Sequence, residues 1–245
     1  MVNSSLLPSS VSTSSKHPVL FCIPHAGGSA LTYRAFVSEA PGWLEVCPID
    51  LPGRGRLLNE PFALSLQALA RRIAEAIFPL TDRPYAIFGH SMGALLAYEI
   101  TAELAKTGHP QPRRLYVSGS RPPFLPRNKP PVDNLSDSAF LDHLRELQGT
   151  PEEVLGDRDV MQFFLPVLRS DFRMVEEYQP VDPPLLQIDV TALSGQQDEG
   201  APKSDVRQWQ RVTAGVFEFR EYPGEHFFFS DRSVLRDVFD ALGTC

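Results

Sequence analysis

The 245-residue chain predicts one α/β domain: a mostly parallel sheet with helices on both faces and a helical insertion. Three observations lead there. Short apolar runs, each closed by glycine or proline, alternate with stretches of helical periodicity. The composition, 42% hydrophobic and 22% charged, is globular, and the chain is long enough to bury a real core. A segment of about 70 residues between proline-rich brackets then interrupts the alternation.

The elements follow in order. The Ser-rich residues 1–17 lack the basic start and apolar stretch of a secretory signal, so a disordered tail is expected there and the domain over 18–245. Six strands are read at 19–24 (VLFCIP), 45–51 (EVCPIDL), 85–88 (YAIF), 115–118 (LYVS), 188–193 (IDVTAL) and 216–222 (VFEFREY). The most apolar of them suit a sheet covered on both faces. Residues 66–77 put Leu66, Leu69, Ala70, Ile73 and Ile77 on one helical stripe. Residues 92–106 are rich in helix formers, and 234–242 is a further candidate. The insertion at about 121–184 holds helical patterns at 138–147 and 159–178, with Pro166 a kink. It reads as a lid, with ordinary crossover helices as the alternative. Phe140, Leu144, Leu147, Phe163, Phe164 and Leu168 supply apolar surface for it.

Composition also excludes function classes. A net charge of −7 argues against a nucleic-acid-binding surface. No run reaches the ~18 apolar residues of a membrane helix. Cys22, Cys47 and Cys245 have no metal-ligand spacing, so neither a metal site nor a disulfide framework is expected. A reducing cytoplasm and a monomer are the expectation.

Gly89-His90-Ser91-Met92-Gly93 matches G-x-S-x-G and sits directly between a strand and a helix, the context of a nucleophile elbow. Small residues are needed two before and two after the serine, because strand and helix approach closely there. A serine hydroxyl is a weak nucleophile without a base, and the base needs an orienting acid. Of six histidines, only His226 follows the last strand. The acid belongs at the carboxyl end of a late strand, which selects Asp198, with Glu199 as runner-up. An oxyanion needs two N–H donors. Those expected are Met92, after the nucleophile, and Ala26, in the loop Pro24-His25-Ala26-Gly27-Gly28 after the first strand.

Several motifs in this order resemble the type II thioesterase family: CIPHAGGSA (22–30), IDLPGRG (49–55), FGHSMGALLAYE (88–99), GTPEEVL (149–155), LPVLRSDFRMVEEY (165–178), LSGQQD (193–198) and PGEHFF (223–228). The resemblance covers about residues 18–242, and its lid motifs are the specific part. Gln148 and Ser170 stand where the family often has Gly and Ala. The resemblance implies a stand-alone α/β-hydrolase serving polyketide or non-ribosomal peptide synthetases. It would hydrolyse acyl groups from the phosphopantetheine arm of acyl or peptidyl carrier proteins and need no cofactor. Ser91 would be nucleophile, His226 base, Asp198 its partner, and Met92 and Ala26 the oxyanion donors. An acyl-CoA thioesterase or small-molecule esterase on the same fold is the competing reading. Carrier domains are generally acidic, and so is this chain, which calls for a local basic patch. Arg121, Arg127 and Lys129 form one in an acid-free stretch after the fourth strand. Arg54 and Arg56 are expected to emerge at the same sheet edge.

Overall fold

The computed structural model describes residues 5–8, 11, 14–126, 130–132, 134–147, 152–180 and 184–243. Six strands form one sheet: β1 (Val19–Ile23), β2 (Glu45–Pro48), β3 (Tyr85–His90), β4 (Arg114–Ser118), β5 (Asp189–Gly195) and β6 (Phe217–Tyr222). Their order is β2-β1-β3-β4-β5-β6, and every neighbouring pair is parallel. All six strand readings are met, with shifted ends. The parallel pairing puts every carboxyl end on one edge. The chain reverses direction across the sheet between β1 and β3, and such a switch point opens a crevice beyond the strand ends.

Every residue of β1, β3 and β4 is buried, which explains why those runs read as continuously apolar. Strand residues alternate faces, so β1 feeds two cores. Phe21 and Ile23 join the larger cluster, with α2 (Leu66–Ile77) and α3 (Met92–Lys106). Leu20 and Cys22 join the other, with α1 (Arg34–Glu39) and α8 (Arg232–Gly243). Helix α2 buries the predicted stripe, and Ser65 caps it through a hydrogen bond from Ala68 N.

The insertion is helical as expected: α4 (Asp137–Glu146), α5 (Glu152–Leu155) and α6 (Arg158–Glu177). It has a core of its own, in which Phe140, Leu144, Leu155, Met161 and Leu168 meet. Asp157 caps α6, and Pro166 is accommodated within that helix. Short α7 (Lys203–Val206) follows β5.

Two expectations fail here. Phe163 and Phe164 do not face inward; they are 76% and 44% exposed on the outer side of α6. Part of the segment read as a free tail is packed: Leu6 and Leu7 are buried in the main core, and Leu6 O accepts a hydrogen bond from Asp50 N. Helices α1, α5 and α7, of four to six residues, were not read, being too short to display a period. Among the described residues no helix is long and apolar enough to cross a membrane.

Candidate active site

Strand β3 ends at His90, and the chain enters α3 one residue later. Ser91 makes that turn with φ 56° and ψ −118°, the one non-glycine residue with positive φ among those described. Such strain persists only where the surroundings over-determine it. Ser91 N donates to Ser118 O at 2.8 Å. A Cβ on Gly89 would lie 2.0 Å from Gly93 O, and one on Gly93 would lie 2.2 Å from Ile23 O. Both glycines are therefore required by backbone contact, as the motif demands.

His226 follows β6 and Asp198 follows β5. Their loops are stitched together: Gln197 N donates to Gly224 O, and Gly224 N donates to the Gln197 side chain. His226 Nε2 lies 3.0 Å from Ser91 Oγ, and its Nδ1 lies 2.9 Å from Asp198 Oδ2. The other carboxylate oxygen of Asp198 accepts from Gly200 N and Ala201 N, both at 3.0 Å. Asp198 is 5% exposed. Glu199 lines the cavity nearby, but the partner of His226 Nδ1 is Asp198.

His90 lies behind His226, with ring centroids 5.1 Å apart, and stacks on Phe229. Its Nδ1 is 3.0 Å from Ser118 Oγ. Burial pushes the His90 imidazole well below its ordinary pKa, with the neighbouring His226 charge acting the same way. A neutral ring thus backs the pair, with its Nδ1 directed to Ser118.

A cavity of about 420 Å³ opens beside Ser91, with Ala26, Met92, Leu95, Leu147, Phe172 and Val175 among its walls. No hydrogen bond among the described residues takes up the Ala26 or Met92 amide. An open groove of about 760 Å³, lined by Gln197 and residues 223–228, meets the cavity at Leu147 and His226.

The basic residues fare differently. Arg121 lines the cavity with its charge met by Asp205, Nε to Oδ2 at 2.6 Å. Arg127 and Lys129 lie outside the described residues, as does Gln148. Arg54 is not on the docking edge: it is buried and ion-paired with Asp171 of α6. Arg56 is turned to Asp50 and to the Leu6 and Leu7 carbonyls. The Arg54–Asp171 pair was missed by sequence reasoning, because 117 positions separate its members and no local pattern links them.

The parallel sheet, the strained serine elbow and the Ser91–His226–Asp198 line define the class: an α/β-hydrolase fold. Comparisons with known proteins give the family. The model of the thioesterase domain matches residues 18–242. Gramicidin S biosynthesis protein GrsT of Aneurinibacillus migulanus is 38% identical over 209 residues, 85% of this chain and 82% of that protein. Thioesterase PikA5 of Streptomyces venezuelae is 38% identical over 226 residues, 91% and 80% of the two chains. The solved structure of RedJ, a thioesterase from the prodiginine pathway of Streptomyces coelicolor, superposes with a TM-score of 0.85 at 36% identity, covering 97% of this chain and 96% of that one. The chain belongs to the thioesterase family, and it is a hydrolase of thioesters.

Proposed function

We propose that this thioesterase releases acyl groups from the phosphopantetheine arm of acyl or peptidyl carrier proteins in polyketide or non-ribosomal peptide biosynthesis. The observation that supports the chemistry most strongly is the line from buried Asp198 through His226 to Ser91, ending at the cavity and its two unused amides. The pathway rests on relatives such as GrsT, a gramicidin S biosynthesis protein, RedJ, a thioesterase from the prodiginine biosynthetic pathway, and BorB, a type II thioesterase from the borrelidin biosynthetic cluster.

Asp198 accepts from His226 Nδ1, which leaves Nε2 free to take the Ser91 proton. The deprotonated Oγ attacks the thioester carbonyl, and the negative charge passes to the carbonyl oxygen. The Ala26 and Met92 amides donate to that oxygen. The intermediate collapses with cleavage of the C–S bond, and the imidazolium at His226 returns its proton to the leaving thiol. Water then repeats the cycle on the acyl-Ser91 ester: His226 takes its proton, and the acid leaves as Ser91 is reprotonated. The apolar cavity wall suits the acyl chain. The groove beyond Leu147 and His226 suits the arm. This reading keeps the enzyme in the cytoplasm, where Cys22 and Cys47 stay as the free, buried thiols they are. We assign carrier docking to the basic stretch of Arg121, Arg127 and Lys129, the first of which is paired with Asp205.

Rates on one acyl group carried by a carrier domain, by coenzyme A and by N-acetylcysteamine test the assignment. The carrier substrate is expected to give the highest kcat/KM. An equal or higher kcat/KM on acyl-CoA rejects the carrier assignment. Failure of a fluorophosphonate to label Ser91 rejects the mechanism.

A further inference from the structure

The loop after β1 carries the Ala26 amide, and both peptide groups flanking Ala26 are pinned. The 25–26 peptide is held by Gly28 N, which donates to His25 O at 2.9 Å. The 26–27 peptide is held on both edges. Its carbonyl, Ala26 O, accepts from His25 Nδ1 at 2.8 Å. Its N–H, that of Gly27, donates at 2.8 Å to Oδ2 of Asp171, which lies on α6 of the lid. Asp171 is fully buried and forked by Arg54: Nη2 reaches Oδ1 at 2.7 Å, and Nη1 reaches Oδ2. Arg54 is braced in turn by donation to Pro52 O. One helical turn before Asp171, Leu168 closes over Gly27: a Cβ there would meet Leu168 Cδ2 at 2.5 Å. Gly27 has φ +75°, a conformation open to glycine. A carboxylate on the lid thus spans two loops of the sheet edge, one of which presents the oxyanion donor.

We infer that Asp171 is a positioning residue for hydrolysis: with Arg54 it seats the lid helix and fixes the Gly27 amide, and thereby aims the Ala26 N–H at the developing oxyanion. The inference rests on the proposed role of Ala26. It also makes the seated lid a condition for a complete oxyanion hole, so that covering the acyl chain and readying the catalytic amide are one event. The effect falls on the transition state, since the oxyanion exists only there.

A buried ion pair replaced as a unit keeps its packing without leaving a lone charge. Two double variants therefore make the test. Arg54→Met with Asp171→Leu removes the acceptor of Gly27 N. Arg54→Gln with Asp171→Asn retains a side-chain oxygen for it. Both are assayed on an acyl-N-acetylcysteamine thioester, with Tm measured alongside and with Ki for a trifluoromethyl ketone analogue, whose hemiketal oxygen occupies the oxyanion position. The apolar pair is expected to lose roughly 10–100-fold in kcat with KM within about two-fold, and to raise Ki in parallel, as loss of one aligned donor would. The amide pair is expected to recover most of that loss. Unchanged kcat and Ki in a folded apolar pair overturn the inference; so do equal losses in both variants, or losses that track Tm alone. If the apolar pair does not fold, the amide pair decides: a Ki raised ten-fold or more, despite its retained oxygen, overturns it. Wild-type protein labelled at Ser91 by a fluorophosphonate, and inactive as Ser91→Ala, shows the catalytic reading standing whichever way the lid variants fall.

Discussion

Asp198→Asn is the sharpest test of the acid, because the two carboxylate oxygens have different partners. One accepts from Gly200 N and Ala201 N, both at 3.0 Å; the other faces His226 Nδ1 at 2.9 Å. An asparagine must choose. With its oxygen toward the two amides, its NH₂ donates to Nδ1 and places the imidazole proton on Nε2. That nitrogen then donates to Ser91 Oγ and can no longer act as base. Turned the other way, the side chain restores the working tautomer but sets its NH₂ against two N–H donors, Ala201's buried and Gly200's on an exposed residue. Leaving the buried donor unmet costs about 1–3 kcal/mol, and the exposed one less. The productive orientation is then disfavoured by about 1.5–4 kcal/mol, and kcat should fall on the order of 10–10³. KM and Tm should move little, since volume and packing are kept. The assay is kcat and KM on an acyl-N-acetylcysteamine thioester, with Glu199→Gln as the paired control. A loss below ten-fold in Asp198→Asn, or a crippled Glu199→Gln beside an active Asp198→Asn, would refute the reasoning.

Other outcomes follow from the same geometry. Ser91→Ala and His226→Ala should each cost on the order of 10⁴–10⁶ in kcat without adding when combined, because the groups act as a unit; additivity in the double variant counts against the relay. Gly93→Ala sets a methyl 2.2 Å from Ile23 O, a backbone atom with no rotamer to yield, and should cost about 3 kcal/mol or more in urea unfolding. Arg127→Glu with Lys129→Glu should raise KM several-fold for an acyl-carrier substrate and leave the N-acetylcysteamine thioester unaffected, the difference shrinking in salt; equal effects on both remove the docking assignment. Amide exchange in α4 and α6 should be faster than in β1 and β3, since the lid core is separate from the sheet's; equal protection argues against a moving lid.

Much of the candidate site was legible because its determinants are local. A glycine two residues either side of Ser91, between a strand run and a helix run, specifies an elbow without knowledge of the rest of the fold. The order of strands ranked the histidines, so that His226 stood out by position alone. Asp198 and Glu199 were harder to separate. Adjacent carboxylates share most sequence signals; position and side-chain length ranked Asp198 first, and the loop stitched by Gln197 and Gly224 carries Asp198 to His226.

The readings that failed depended on which surfaces meet. Arg54 was expected to emerge at the sheet edge with the docking charges; it is buried because Asp171, far along the chain, arrives beside it on α6. Helix α6 carries apolar residues on more than one side, and its sequence does not say that Leu168 turns to the lid core while Phe163 faces water. Leu6 and Leu7 sit in a Ser-rich stretch whose composition reads as disorder, but a core with room for them takes them in. Periodicity, turn chemistry and strand order are properties of neighbouring residues, and by themselves they determined the sheet and the elbow and picked out Ser91, His226 and Asp198 as candidates. The hydrogen bond that turns Asp198 to His226, the buried Arg54–Asp171 pair and the hold of α6 on the Gly27 amide were decided by tertiary structure alone, because burial and ion pairing are set by the element that packs on a residue, and that element can lie a hundred positions away.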